Sequence, residues 1–116
     1  MKVYGIANCN TVKKAIGWLK TNEEEFEFHD YKKKGITKEK LKEWSKEVGW
    51  EKLVNKKGTT WRELPEDEQQ KVTNKKTAIE LMIDKPSVIK RPIIESDGKL
   101  IVGFNEEEFN NSLKKK

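Results

Sequence analysis

Between Val3 and Phe28 the apolar pattern changes period twice. Val3-Tyr4-Gly5-Ile6 reads as a short strand, and Val12, Ala15, Ile16 and Leu19 recur at the spacing of one helix face. Phe26 and Phe28 then alternate with Glu25, Glu27 and His29, the period of a half-buried strand. Two successive strands joined by a helix form a parallel pair, since a parallel neighbour is reached only through a crossover. Any fold for this chain therefore packs a helix on a sheet with a parallel step in it. The only cysteine, Cys9, falls at the first change of period, within Ile6-Ala7-Asn8-Cys9-Asn10-Thr11-Val12-Lys13-Lys14.

The first N–H groups of a helix lack internal partners and carry the positive end of its dipole, so a sulfur placed there is stabilised as thiolate. Lys13 and Lys14 add positive charge nearby. Two readings of Cys9 stand at this point: a reactive thiolate among polar neighbours, or a small buried and inert side chain. Asn10 and Thr11 are either helix caps or groups that orient a ligand of the sulfur. Val12 occupies the position where a C-x-x-C pair would have its second thiol, so a resolving thiol must come from another molecule. One cysteine also excludes an internal disulfide and a cysteine-based metal cluster.

From Thr37 to Pro86 the pattern is helix and loop. Lys32 to Gly35 reads as a loop, and Thr37 as the cap of a helix that carries Leu41, Trp44 and Val48 on one face and stops at Gly49. Trp50, Leu53 and Val54 suggest a short turn, Gly58-Thr59-Thr60 a loop, and Pro65-Glu66-Asp67-Glu68 the acidic first turn of another short helix. A helix over 74–84 follows, with Ala78, Ile79, Leu81, Met82 and Ile83 on its buried side, ended by Pro86. Beyond it the pattern returns to sheet: Ile93-Ile94-Glu95 and Leu100-Ile101-Val102 flank Asp97-Gly98, a strong hairpin signal. Asn105 caps a closing helix with Glu106 to Glu108 at its positive end and Lys114 to Lys116 at its negative end.

The net charge is +5, but 23 of the 25 basic residues are lysines scattered among 20 acids, which describes a solvated surface rather than a nucleic-acid interface. With 34% apolar and 39% charged residues, no signal-like start and no apolar run of membrane-spanning length, the chain reads as one cytoplasmic domain that engages neither nucleic acid nor membrane. Arg62 and Arg91, the two arginines, are candidates for anion work that lysine does less well. His29 and Asp30 are neighbours on a strand and face opposite ways, so they do not read as an acid–base pair.

Five segments carry a specific resemblance: Tyr4-Gly5-Ile6-Ala7-Asn8-Cys9-Asn10-Thr11-Val12-Lys13-Lys14-Ala15, Phe28-His29-Asp30-Tyr31-Lys32-Lys33, Trp50-Glu51-Lys52-Leu53-Val54-Asn55, Gly58-Thr59-Thr60-Trp61-Arg62 and Ile89-Lys90-Arg91-Pro92-Ile93. With these, the chain resembles from end to end the arsenate reductase-like ArsC/Spx family of thioredoxin-like proteins, and most of all its small YffB-type branch. The resemblance implies an α/β thioredoxin-like fold with a mixed sheet and a helical insert between the second and third strands. Residues 1–34 and about 87–116 would form the core, and about 36–85 the insert.

It also implies chemistry. In the family's arsenate reductases the matching cysteine attacks the oxyanion, glutathione takes part in reduction, and three arginines hold negative charge around the sulfur. Cys9 and Arg91 match the pattern as catalytic residues. Near the second arginine stand Asn55, Lys56 and Lys57, with Arg62 a few residues on, and near the third stand Val102 and Gly103, which carry no charge. The expectation is therefore a monothiol oxidoreductase with glutathione as co-substrate, no tightly bound cofactor, glutaredoxin as a further partner, and weak or no arsenate turnover. Asn8, Asn10, Thr11, Pro92 and Arg62 are its expected substrate-binding residues, with no metal ligand among them. Arg91 would orient a carboxylate or substrate oxygen, the alternative being a structural salt bridge. Pro92, joined to Arg91 by a cis bond, would bring a strand end to the substrate. Trp61 either stacks with Arg62 or packs within the insert. The alternative function is an Spx-like regulator or adaptor that binds RNA polymerase without catalysis.

Overall fold

Strand β1 (Lys2–Gly5) alternates its side chains, sending Val3 to one face of the sheet and Tyr4 to the other. The structure, a computed structural model, describes residues 1–113; the expected Lys114 to Lys116 helix end lies outside the described residues. Helix α1 (Asn10–Thr21) buries Val12, Ala15 and Leu19, one stripe of a 3.6-residue period. It leads to β2 (Glu27–Asp30), which pairs with β1 in parallel, Val3 opposite Phe28 and Tyr4 opposite His29. β3 (Ile93–Ser96) and β4 (Lys99–Val102) form the expected antiparallel hairpin, and Asp97 and Gly98 both take positive φ, as a two-residue turn of this kind requires. β3 runs antiparallel to β1, so the mixed sheet has the order β2-β1-β3-β4.

The described residues divide into two compact units: Met1–Asp30 together with residues 91–113, and Tyr31–Lys90. In the first, Val3, Ile94 and Ile101 of the sheet meet Ala15 and Leu19 of α1, and Phe109 and Leu113 close the cluster. Phe109 belongs to the last helix, α8 (Glu106–Ser112), whose Asn105 cap accepts a hydrogen bond from the Glu108 N–H at 2.9 Å. The Trp18 and Phe104 rings each pack edge-to-face with the Phe109 ring, centroids 5.2 and 4.9 Å apart.

The second unit is built from short helices: α2 (Tyr31–Lys34), α3 (Lys38–Val48), α4 (Trp50–Leu53), α5 (Thr59–Arg62), α6 (Glu66–Gln70), α7 (Lys75–Asp84) and a 3-10 turn at Pro86–Val88. α3 packs on α4 and α7, and these three helices bury Leu41, Trp44, Leu53, Ala78, Ile79 and Met82. A single bridge, Val54 with Ile89, ties the middle of this unit to its end, flanked by Asn55 N–H to Val88 C=O at 2.8 Å and Lys90 N–H to Leu53 C=O at 2.7 Å.

Several expectations are corrected here. Lys32 to Gly35 is not a loop: Tyr31 is buried and starts a helical turn that stops at Gly35, where φ is +65°. Gly58-Thr59-Thr60 opens α5, with Gly58 as its cap. Asn74 lies outside α7 as its cap, in a reciprocal pairing with Thr77. The end of α7 at Asp84, just before Pro86, is as expected, and Pro86 itself starts the 3-10 turn, where its fixed φ suits a first position. Leu81 is half-buried and Ile83 is 41% exposed, because the buried stripe of α7 is narrower than its apolar content. Among the described residues no helix is long and apolar enough to cross a membrane.

Candidate active site

β1 ends at Gly5, and the chain crosses to α1 through buried Ile6 and exposed Ala7 and Asn8. Cys9 is the residue that caps α1: its backbone is extended (φ −124°, ψ 125°) and its carbonyl accepts the first helical hydrogen bond, from the Lys13 N–H at 2.9 Å. The N–H groups of Asn10, Thr11 and Val12 therefore have no carbonyl partner within the helix. In a capped helix the cap side chain receives the second or third of these. The Cys9 sulfur closes no cap of the geometry that an Asn or Ser oxygen makes. The Val12 and Thr11 N–H groups instead stabilise its negative form.

Cys9 is half-buried. Burial pushes its thiol up, since an anion loses water there. Against this, the Val12 N–H, a hydrogen bond and the charge of the Arg91 guanidinium, and the Thr11 N–H together hold Cys9 below the ordinary thiol range. This setting favours the thiolate more than an ordinary thiol's surroundings do, as the helix-start position of Cys9 led one to expect. The charge acting on the sulfur comes from Arg91, while Lys13 and Lys14 are exposed on α1.

Of the expected site residues, Cys9, Arg91 and Thr11 are brought together, Thr11 through its backbone. Asn8 and Asn10 flank Cys9 in the chain, both exposed. Asn10 and Thr11 are not caps: they are the first two helical residues. Their stronger capping chemistry points one or two residues too late, because the sulfur takes that position. Pro92 is buried beside Arg91, and the bond between them is cis, as expected. The Pro92 carbonyl accepts from the Gly103 N–H at 2.7 Å, which extends the β3–β4 pairing by one step. Val102 and Gly103, where a third arginine would stand, are half-buried.

Arg62 belongs to the second unit, where it ends α5 and is exposed. There the cation over the Trp61 ring is Lys56, its Nζ 5.4 Å from the centroid, and the Trp61 carbonyl accepts from Gln69 Nε2 at 2.8 Å. His29 lies against the Tyr4 ring with centroids 5.0 Å apart, and the Tyr4 hydroxyl donates to Glu95 Oε1 at 2.8 Å. This cross-strand polar cluster sits on the sheet face opposite Val3. Among the described residues no group of three or more His, Cys, Asp or Glu stands together as metal ligands would.

The sequence model of the ArsC family matches residues 4–112. The chain belongs to the ArsC family. An uncharacterized protein of Haemophilus influenzae is 48% identical to this ArsC-family chain over 108 residues, covering 92% of it and 93% of the relative. The global transcriptional regulator Spx of Lactiplantibacillus plantarum is 27% identical over 116 residues, covering 98% and 86%. Among solved structures, the YFFB protein superposes with a TM-score of 0.92 at 42% identity and covers 97% of each chain. The fold is accordingly thioredoxin-like, with the helical insert between β2 and β3.

Two residues of this ArsC-family site are missing from the expected set. Val12 acts through its N–H, which follows from its position three residues after the cap once Cys9 is recognised as that cap. Gly5 lies against Val12 and Arg91. A lone glycine inside a strand is the signal that could have found it, since it marks close approach of another segment.

Proposed function

We propose that this ArsC-family protein is a glutathione-dependent monothiol oxidoreductase, and that Cys9 and Arg91 are its catalytic residues. The observation that carries this reading is the convergence of the Val12 and Thr11 N–H groups and the Arg91 guanidinium on one half-buried sulfur. A thiolate is the nucleophile in disulfide exchange, and here it forms without a neighbouring base.

The Cys9 thiolate attacks one sulfur of glutathione disulfide. A Cys9–glutathione bond forms, the original S–S bond breaks, and one glutathione leaves as thiolate. A second external thiolate then attacks the mixed disulfide, takes the glutathione sulfur into a new disulfide and returns Cys9 as thiolate. Once Cys9 is in a disulfide it carries no charge, and Arg91 turns its planar donors to a glutathione carboxylate. Pro92 has no N–H, and its carbonyl is engaged by Gly103, so its part is to form the strand end that carries Arg91. Asn8, Asn10 and the Thr11 hydroxyl, exposed around the sulfur, supply polar contacts to the tripeptide. Arsenate turnover is weak or absent in this reading, because Val102 and Gly103 supply no third cation for the oxyanion. Each missing charge-assisted contact weakens such an anion by about 1.5–3 kcal/mol.

Intact-mass measurement after incubation with glutathione disulfide tests the proposal. The expected result is one glutathione adduct, absent from Cys9→Ser. Alkylation by iodoacetamide should persist below the pH of about 8.5 at which a free thiol half-ionises, and Arg91→Ala should move its midpoint upward. Efficient arsenate reduction with glutathione and glutaredoxin, together with no adduct on Cys9, would overturn it. A second reading, a regulator that binds a protein such as RNA polymerase, is favoured by the Spx relative that spans nearly the whole chain. Binding to purified RNA polymerase that survives Cys9→Ser, with no glutathione adduct in the wild type, would establish that reading instead.

A further inference from the structure

Gly5 makes no turn. It lies in the β1 ladder opposite Asp30, and it is absent from the glycines of positive φ. Its backbone therefore suits any residue, and what matters is the space above it. A Cβ on Gly5 would stand 2.8 Å from Val12 Cγ2, 3.5 Å from Val12 Cγ1 and 3.7 Å from Arg91 Cβ. The first distance is shorter than real Cβ contacts, and the last is ordinary contact. The missing methyl would thus be wedged between the two residues whose N–H and guanidinium reach Cys9.

We propose that Gly5 is a positioning residue of the thiol site: by leaving this space empty it lets the first turn of α1 and the start of β3 close on the Cys9 sulfur. Val12 cannot simply swing aside. It is fully buried and β-branched, and a helical valine is held to essentially one χ1 rotamer. A methyl at Gly5 must therefore displace backbone, either the Val12 turn or the Arg91 strand end. Either movement withdraws a donor from Cys9. The proposal rests on the thiolate reading above and deepens it, but it requires nothing of glutathione.

The test compares iodoacetamide pH profiles of wild type, Gly5→Ala and Gly5→Ala/Val12→Ala, with folding checked by far-ultraviolet circular dichroism. Gly5→Ala should shift the alkylation midpoint upward. The double variant removes both Val12 methyls from the contact and should return the midpoint toward wild type. A folded Gly5→Ala with the wild-type profile overturns the proposal. If Gly5→Ala does not fold, the double variant decides: recovery of fold and low midpoint supports it, and a recovered fold with a raised midpoint overturns it. A wild-type midpoint at the free-thiol value would overturn the thiolate reading itself, and the Gly5 role with it.

Discussion

The sheet unit draws its strands from opposite ends of the chain, whereas the helical unit is one continuous stretch, Tyr31–Lys90. In the first, order depends on register: the antiparallel pairing of Val3 with Ile94 and Tyr4 with Ile93 brings Arg91, two residues before Ile93, to the sulfur at the head of α1. In the second, order is mostly local, in helices of four to eleven residues, several of them followed within three residues by a glycine or a proline. A thiol site that needs two distant segments held in fixed relation belongs on the ladder, because a one-residue slip there would turn every side chain to the other face. Helices of a single turn offer no such fixed frame, since they are marginal without tertiary packing.

The largest effects should come from emptying either core. Phe109→Ala in the sheet unit and Trp44→Ala in the helical unit each remove a fully buried ring, and each should cost about 3–5 kcal/mol by urea denaturation. Their effects on Cys9 should differ. In buffer where both variants remain folded, Trp44→Ala should leave the iodoacetamide midpoint at its wild-type value, since Val12, Thr11 and Arg91 all belong to the sheet unit. A Trp44→Ala midpoint displaced as far as that of Arg91→Ala would break the comparison, by showing that the helical unit also sets the sulfur.

The same contrast explains what was legible in the sequence. Phe26 and Phe28, the Asp97-Gly98 turn and the Val12-Ala15-Leu19 stripe announce the sheet unit because period and turn chemistry act over a few residues. The helical turns Tyr31–Lys34 and Thr59–Arg62 are masked by loop-like sequence at 32–35 and 58–60, because four residues are too few to show a helical period. Cys9 was legible as a helix-start sulfur, but Asn10 and Thr11 obscured that it is itself the cap. Nothing in local spacing joins Arg91 to Cys9. Only the family resemblance links the two, since long-range register cannot be read from single residues.

Cap removal should have a smaller effect and a local one. Asn74 Oδ1 accepts from the Thr77 N–H at 3.0 Å, and Thr77 Oγ1 accepts from the Asn74 N–H at 3.2 Å, so α7 begins with two donors satisfied reciprocally. Asn74→Ala should cost about 1 kcal/mol, and Asn74→Gly only a few tenths. Asn105→Ala at the head of α8 should cost about as much as Asn74→Ala by the same mechanism. Hydrogen exchange sharpens the comparison: the loss of protection should be confined to the first turn of α7 in one variant and of α8 in the other. Uniform loss across both units would show that these caps act on global rather than local stability.

A last effect, no larger than the loss of a cap, has the opposite sign and sets two glycines of the sheet unit against each other. Gly17 lies in mid-α1 and is exposed, and a Cβ added there would meet nothing within 4 Å among the described residues. Its backbone is helical, so alanine adopts it without strain and loses less conformational freedom on folding. Gly17→Ala should therefore stabilise the protein by roughly 0.5–1 kcal/mol. Its iodoacetamide profile should match wild type, because nothing that touches Cys9 moves. The same one-carbon change at Gly5, where Val12 Cγ2 would be 2.8 Å away, should instead raise the midpoint. Thermal denaturation of Gly17→Ala alongside the alkylation profiles of both variants checks the pair. A Gly17→Ala protein that melts lower than wild type would show that this face of α1 is not open, and one that alkylates with a shifted midpoint would mean that the face is coupled to the sulfur and that the space above Gly5 is not the distinguishing cause.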